Sequence, residues 1–401
     1  MNLSSGYPFW LIKNGLPFNY PKLEQSLKTE VIILGGGISG ALAAYYLVNA
    51  GIKCVVLDAR TIGLGSTCAS TSLLQYEIDT PLSQLKNLVG LEKALRSYHL
   101  CAEAIETINL ISKKINYKEF KAVKSLYYAA HEKDISFLKE EYKIRKQNGF
   151  QVKFLTQAQL KKQFNIKAPC AILSACAAKI NAYSFTHTLH QKSIKKGLQV
   201  FDRTPIKNIK HSHNNVTLIT ENGNTIIADK LIYATGYEVI NFIKKKIVKL
   251  HSTYATVSEQ ANGKTKFWKD DVLIWNTANP YLYMRTTDDH RIIVGGRDEE
   301  FSNPIKRDKI IDKKKNQLVK DFKSVFPSIE FKPEFTWTGT FGATKDGLPF
   351  IGTYPTLPNS YFALGFGGNG ITFSVIAAQI ITDLITGKKN SDAEIFSFQR
   401  I

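Results

Sequence analysis

Three glycines, Gly35, Gly37 and Gly40, stand in G-x-G-x-x-G spacing, and Asp58 follows 18 residues after the last of them. Those residue types suit the pyrophosphate of a dinucleotide. Gly35 allows a tight turn, Gly37 lets a phosphate approach the backbone, and Gly40 lets a helix pack close to a sheet. Amides of the helix start, from Ile38 and Ser39, would face the phosphates with the helix dipole behind them. The Asp58 carboxylate would accept hydrogen bonds from ribose hydroxyls. A second glycine-rich stretch lies near the C-terminus: Gly367, Gly368, Asn369, Gly370, Ile371 and Thr372. It offers helix-start amides to an electron-rich atom, which in a flavoenzyme would be the N1–C2=O edge of the isoalloxazine.

The elements around these residues give the first fingerprint its weight. Val31-Ile32-Ile33-Leu34 reads as a strand buried on both faces. Residues 38–50 read as a helix closed by Gly51, and 54–57 as a second strand ending at Asp58. The loop 60–72 is small and hydroxylated, which suits contacts to a phosphate or a planar ring. Residues 1–30 read as an irregular arm packed on the body. Helices are expected over 81–115, 132–148, 156–164 with Thr156 as N-cap, and 184–196. A hairpin with an Asn222-Gly223 turn is expected over 216–228, and a buried strand over 230–237. Residues 250–340 read as short strands with lysine-rich connections. The last strand leads through the C-terminal glycines into a helix over 371–386.

The chain has 401 residues, 44% of them hydrophobic, which suggests two domains of ordinary globular composition. No apolar run reaches the length of a membrane span, and the N-terminus lacks a signal-peptide pattern. The five cysteines form no C-x-x-C pair, no metal site is expected, and a reducing cytoplasm fits. The net charge is +19, with clusters at Lys244-Lys245-Lys246, Lys306-Arg307 and Lys313-Lys314-Lys315. A solvated basic surface is the expected reading, with an anionic substrate, nucleic acid or a membrane surface as the alternatives. No zinc-finger, RRM or KH signature supports nucleic-acid binding.

Four features occur in series: the opening fingerprint with Asp58, the strand end Ala234-Thr235-Gly236, the segment Thr344-x-Asp346-Gly347-x-Pro349-x-Ile351-Gly352, and the Gly-Gly-Asn-Gly-Ile-Thr helix start. Together they resemble the D-amino-acid-oxidase-type FAD-dependent oxidoreductases, which include glycine oxidase, sarcosine oxidase, D-amino acid dehydrogenase and γ-glutamylputrescine oxidase. The resemblance runs from about residue 10 to 400. It implies a mixed α/β (α+β) fold. A Rossmann-like FAD/NAD(P)-binding domain would be assembled from 1–85, 160–240 and 340–401. A substrate-binding domain with an antiparallel sheet would take 86–159 and 241–339. FAD would be held by Gly35, Gly37, Ile38, Ser39, Gly40, Asp58, Ala59, Arg60, Ser66, Thr67, Thr71, Ser72, Ile206, Ala234, Gly236 and 367–372. Hydride would pass from the carbon beside an amine nitrogen to flavin N5, and the imine would hydrolyse. The substrate would be a small amine or amino acid, with oxygen or another acceptor reoxidising the flavin. Family members often lack a dedicated base, so the resemblance assigns no catalytic residue.

Three departures refine the expectation. Phe341 stands where glycine and D-amino acid oxidases carry an arginine for the substrate carboxylate. Tyr281, Tyr283 and Arg285 alternate along one strand face, as in the γ-glutamylputrescine oxidase branch, and would line the substrate wall with Phe341. No cysteine lies in 331–352, and Gly65-Ser66-Thr67 is followed by Cys68-Ala69 without a histidine, so FAD is expected to be non-covalent. The alternatives are an NAD-dependent dehydrogenase, a flavin-dependent tRNA-modification enzyme and a non-catalytic FAD-bound protein.

Overall fold

The run Val31–Leu34 is the inner half of the strand Leu27–Leu34, and all four side chains are buried. It is apolar throughout because parallel neighbours flank it on both sides: Cys54–Leu57 and Thr225–Tyr233. Gln199–Phe201 and Leu357–Leu364 continue the parallel order outward, and Phe350–Tyr354 adds an antiparallel edge. The ribbon Val216–Thr220 and Ile206–His211 completes this eight-stranded sheet. These elements belong to a computed structural model describing residues 2–243, 247–263, 265–301 and 303–400. The Lys244-Lys245-Lys246 cluster lies outside the described residues.

The hairpin turns at Asn222-Gly223, but its second strand does not stop where the sequence suggests. Thr225–Tyr233 is one strand of nine residues. Its start pairs antiparallel with Val216–Thr220, and most of its length pairs in parallel with Leu27–Leu34. Two helices, Ile38–Asn49 and Gly370–Ile385, pack together, and Ser39 Oγ lies 2.7 Å from Ser374 Oγ. Ala43 lies on the same helix face as Ser39 and Tyr46, and its small side chain suits the close approach.

A ten-stranded sheet faces the first. Its order is Ser4–Gly6, Pro333–Ala343, Lys249–Ser258, Ile292–Glu300, Tyr283–Thr286, Leu273–Asn276, Lys121–Tyr128, Cys170–Lys179 and Leu73–Gln75, with Val152–Thr156 paired to Cys170–Lys179. Only Leu273–Asn276 with Lys121–Tyr128 is parallel. Three of these strands, at 4–6, 73–75 and 170–179, fall in segments the sequence assigns to the nucleotide side. Long-range pairing draws them across, and no local pattern shows it.

Two further expectations are corrected. The arm 1–30 contains the strand Ser4–Gly6 and the helix Phe9–Asn14, with Phe9 and Trp10 buried. The lysine-rich stretch beyond 303 forms helices Pro304–Lys309 and Ile311–Val325, not strands. Leu318, Phe322 and Val325 supply its buried stripe at helical spacing, which the lysines mask. Within the basic clusters Arg307 and Lys314 are buried. Arg307 Nη1 donates to Asn2 O at 2.9 Å, and Lys314 Nζ to Arg297 O at 2.8 Å. No described helix is long and apolar enough to cross a membrane.

The helix Ala182–Ile194 carries two buried histidines beneath the first glycine turn. His190 Nε2 donates to Gly36 O at 2.9 Å, and His187 Nδ1 lies 3.1 Å from Tyr20 Oη. Burial pushes both imidazoles down to about 4 from 6.5. Between those values the unfolded chain binds more protons than the folded one, so stability is lost as pH falls from 6.5 to 4. Each histidine contributes on the order of 3 kcal/mol at most to that loss. His190→Gln keeps a donor toward Gly36 and removes the titration. Its Tm is expected to fall less than that of the wild type between pH 7 and pH 5; equal falls in thermal melts would contradict this account.

Candidate active site

A cavity of about 400 Å³ lies between the sheets, walled by strand ends of the smaller one and by the face of the larger. At its first end the chain leaves Leu34 at Gly35, whose φ of 109° is the left-handed region that glycine tolerates. A Cβ on Gly40 would lie 1.9 Å from Gly35 O, so only glycine lets the helix Ile38–Asn49 sit this close to the turn. Asp58 closes the neighbouring strand. Its Oδ2 accepts from Gly36 N at 2.7 Å and its Oδ1 from Arg60 N at 2.9 Å. Burial still raises its pKa above the usual carboxylate range, against the pull of those amides and of Arg60. A desolvated carboxylate facing a cavity is well matched to further hydroxyl donors. Arg60 pairs with Glu238 at 2.6 Å. Ala59, Ile206, Ala234 and Gly236 complete this end.

The hydroxylated loop forms the middle of the wall through Ser66, Thr67, Thr71 and Ser72. Thr67 Oγ1 accepts from Ile38 N at 3.0 Å, which ties the loop to the helix start. Long-range donors hold the loop from behind. Trp337 Nε1 donates to Ala69 O at 2.8 Å, and Trp10 Nε1 to Ser70 O at 2.7 Å. Arg285 Nη1 donates to Ser72 O at 2.7 Å, Ile180 O at 2.9 Å and Thr71 O at 3.3 Å. Its guanidinium lies over the Trp10 ring, and burial lowers its pKa to about 10.

That placement corrects the expectation for Arg285. Tyr281 and Tyr283 do line the cavity, as does Phe341, but Arg285 lies behind the loop and is 3% exposed. It is the next residue on the same face of the strand. There the loop carbonyls cover that face, and they take the guanidinium. Of the other residues expected to hold FAD or substrate, Gly40 alone lies outside the wall, under the turn.

The far end holds groups that the sequence reading missed. Asp79 Oδ2 accepts from Gly368 N at 2.7 Å, and its Oδ1 accepts from Tyr281 Oη at 3.2 Å. A Cβ on Gly368 would fall 2.7 Å from Asp79 Oδ1, so glycine is required for this contact. Asn369 Nδ2 donates to Glu77 O at 2.8 Å and Gln75 O at 3.2 Å, pinning the C-terminal glycines to the segment after the loop. Glu77, Asp79 and Asp298 all line this end. Asp79 is an exposed residue on the cavity wall, yet the protein packed around it desolvates and raises its carboxyl, against the Gly368 amide and the Tyr281 hydroxyl. Burial likewise lifts Glu77, against Arg145. It pushes Asp298 up to about 6, with the Thr253 hydroxyl opposing and Asp79 adding to the rise. The alternation Gln75, Glu77, Asp79 between Tyr76 and Ile78 is a signal that could have found Glu77 and Asp79. Asp298 sits in the run Arg297-Asp298-Glu299-Glu300, which looks like a solvated turn.

A model of the FAD dependent oxidoreductase family matches residues 30–384. The chain belongs to that family. It is 22% identical over 384 residues to the gamma-glutamylputrescine oxidoreductase of Escherichia coli, covering 94% of this chain and 87% of that one. It is 21% identical over 383 residues to the glycine oxidase of Bacillus subtilis, covering 92% and 96%. The crystal structure of glycine oxidase from Geobacillus kaustophilus superposes with a TM-score of 0.76 at 17% identity, over 93% of this chain and 99% of that one. At that identity the likeness establishes the fold: a mixed α/β protein with a Rossmann-like sheet.

FAD is accordingly the cofactor, and the residues present fit it. Glycine turns serve both ends of one cavity, a buried carboxylate closes the second strand, and Thr235 Oγ1 is buried at the wall without a hydrogen-bond partner. An NAD-dependent dehydrogenase is excluded as the principal reading by the family match. Asp58→Ala is expected to weaken FAD binding by up to about 1.5–3 kcal/mol per charge-assisted bond lost, read by titrating apoprotein with FAD. Unchanged affinity would move the ribose elsewhere. Arg285→Lys loses the planar guanidinium whose Nη1 donates to Thr71, Ser72 and Ile180 O and whose Nε donates to Thr286 O. It is expected to lower Tm and FAD retention together, with no change in preference between acidic and neutral substrates. A selective loss on acidic substrates, with FAD retention intact, would return Arg285 to the substrate site.

Proposed function

We propose that the chain oxidises the C–N bond of a small amine. When bound, FAD supplies the hydride acceptor, and the imine product hydrolyses in water. The single observation that carries this reading is the shape of the cavity. It joins a dinucleotide end to an aromatic pocket of Phe341, Trp275, Tyr281 and Tyr283. Trp275 stacks on Tyr127 with centroids 3.7 Å apart, and Tyr281 and Tyr283 lie 5.7 Å apart, so the wall is rigid and sheds water. Such a pocket holds a C–H bond in place against the cofactor, which is the main task in this chemistry. Several relatives carry names of amine or amino-acid oxidising enzymes.

The eight-stranded sheet would serve FAD and the ten-stranded sheet the substrate. We also propose that FAD is held without a covalent bond. Among the described residues lining the cavity none is cysteine or histidine, the side chains expected to attach it. Acid precipitation is expected to leave FAD in the supernatant; flavin in the pellet would contradict this. Anaerobic mixing with a panel of amines is expected to bleach the oxidised flavin absorption. Bleaching by hydroxy acids and by no amine would overturn the reading.

A further inference from the structure

The substrate end of the cavity has an unusual charge balance. Arg60 is the one basic side chain among the described lining residues, and it stands at the other end beside Glu238. Glu77, Asp79 and Asp298 have no cation of their own inside the cavity. Glu77 is only 4% exposed. Its Oε1 accepts from Ser174 Oγ at 2.6 Å and from Arg145 Nη1 at 3.3 Å, but its Oε2 is buried with no partner. Arg145 is shared: its Nε donates to Glu141 at 2.7 Å behind the wall. Asp298 Oδ1 is likewise buried without a partner. Beside these acids stand three aromatic rings. Tyr281 lies 5.7 Å from Tyr283 and 6.2 Å from Trp275, centroid to centroid.

A buried carboxylate oxygen without a donor is costly to keep. Aromatic faces attract cations, most strongly where water is excluded. A substrate carboxylate would meet three acids and an apolar Phe341. A second ammonium group would meet Asp79 and Asp298 on the cavity side, with Arg145 paired to Glu77 and Lys314 acting on Asp298 from behind the wall.

We propose that the substrate is a dication: a diamine or longer polyamine. Its remote ammonium is held by Asp79 and Asp298 against the rings of Tyr281, Tyr283 and Trp275, with the Glu77–Arg145 pair buried behind them. Its other nitrogen marks the carbon that is oxidised. This rests on the amine-oxidation reading above and narrows it to one substrate class. With Arg285 behind the loop, the substrate end offers no guanidinium to a substrate carboxylate. Burial lifts all three carboxyls above their ordinary range, and a bound ammonium would draw them back.

The test uses the FAD-loaded enzyme. Diamines of three to six methylenes are compared with n-butylamine, glycine, sarcosine and D-alanine in anaerobic flavin reduction. Hexamethonium, a bis-quaternary cation, is titrated separately as a binding probe through the oxidised flavin spectrum. A diamine is expected to exceed n-butylamine and every amino acid at least tenfold in reduction rate at low concentration. Hexamethonium is expected to perturb the spectrum and acetate is not. Asp298→Asn is expected to cut the ratio of diamine to monoamine efficiency at least tenfold through KM, with FAD titration as in the wild type. A preference for glycine or sarcosine over all diamines would overturn the proposal while leaving amine oxidation standing. An unchanged ratio in a folded Asp298→Asn would also overturn it. If no amine reduces the flavin, the amine-oxidation reading fails; hexamethonium binding would still support the cation site, and its absence would remove it.

Discussion

The site depends on one constraint: five strands of the smaller sheet run the same way, and four of them lead into the cavity. Leu34 registers with Leu57 and with Tyr233, and Tyr233 with Phe362. Their C-terminal ends therefore open on one edge, where ligands of such sheets bind. Gly35, Asp58, Ala234 and Gly365 follow those ends directly. Two glycine turns more than three hundred residues apart in sequence thus serve one cavity. The helices they start, Ile38–Asn49 and Gly370–Ile385, pack side by side. Neither end could shift without unpairing the sheet.

The larger sheet supplies the opposing wall and also braces the first. Trp337 and Arg285 reach from it to carbonyls of residues 69, 71 and 72, and Trp10 from the N-terminal helix takes residue 70. Four consecutive carbonyls are thereby held from the side away from the cavity. Arg285 is charged yet buried because carbonyl oxygens take its Nη1 and its Nε, and the Trp10 ring lies under the guanidinium. Its value lies in the loop it holds still, and the acid side chains beyond that loop set the character of the pocket.

Much of this was legible in the sequence. The fingerprint, Asp58, the Ala234-Thr235-Gly236 strand end and the glycines before the last helix are local patterns whose function depends on backbone geometry. They fall on the cavity wall with Gly40 as the reasoned exception. Thr156 caps its helix with Gln159 as a capping box, another local signal. What was not legible depends on partners far away in the chain. Alternation placed Arg285 on the right face but could not show that residues 71, 72 and 180 cover it. The helix Ile311–Val325 was hidden because lysines dilute its apolar stripe. Glu77, Asp79 and Asp298 look like ordinary surface acids until the strand Leu73–Gln75 is paired with Cys170–Lys179 and Asp79 meets Gly368.

The central claim is that three separated segments form a single FAD site. Amide hydrogen exchange with and without FAD tests it directly. The account predicts that added FAD slows exchange in residues 35–40, 66–72 and 367–372 together. Protection confined to 35–40, with the other two segments unchanged, would mean that the glycine turn binds a nucleotide alone, and would contradict it.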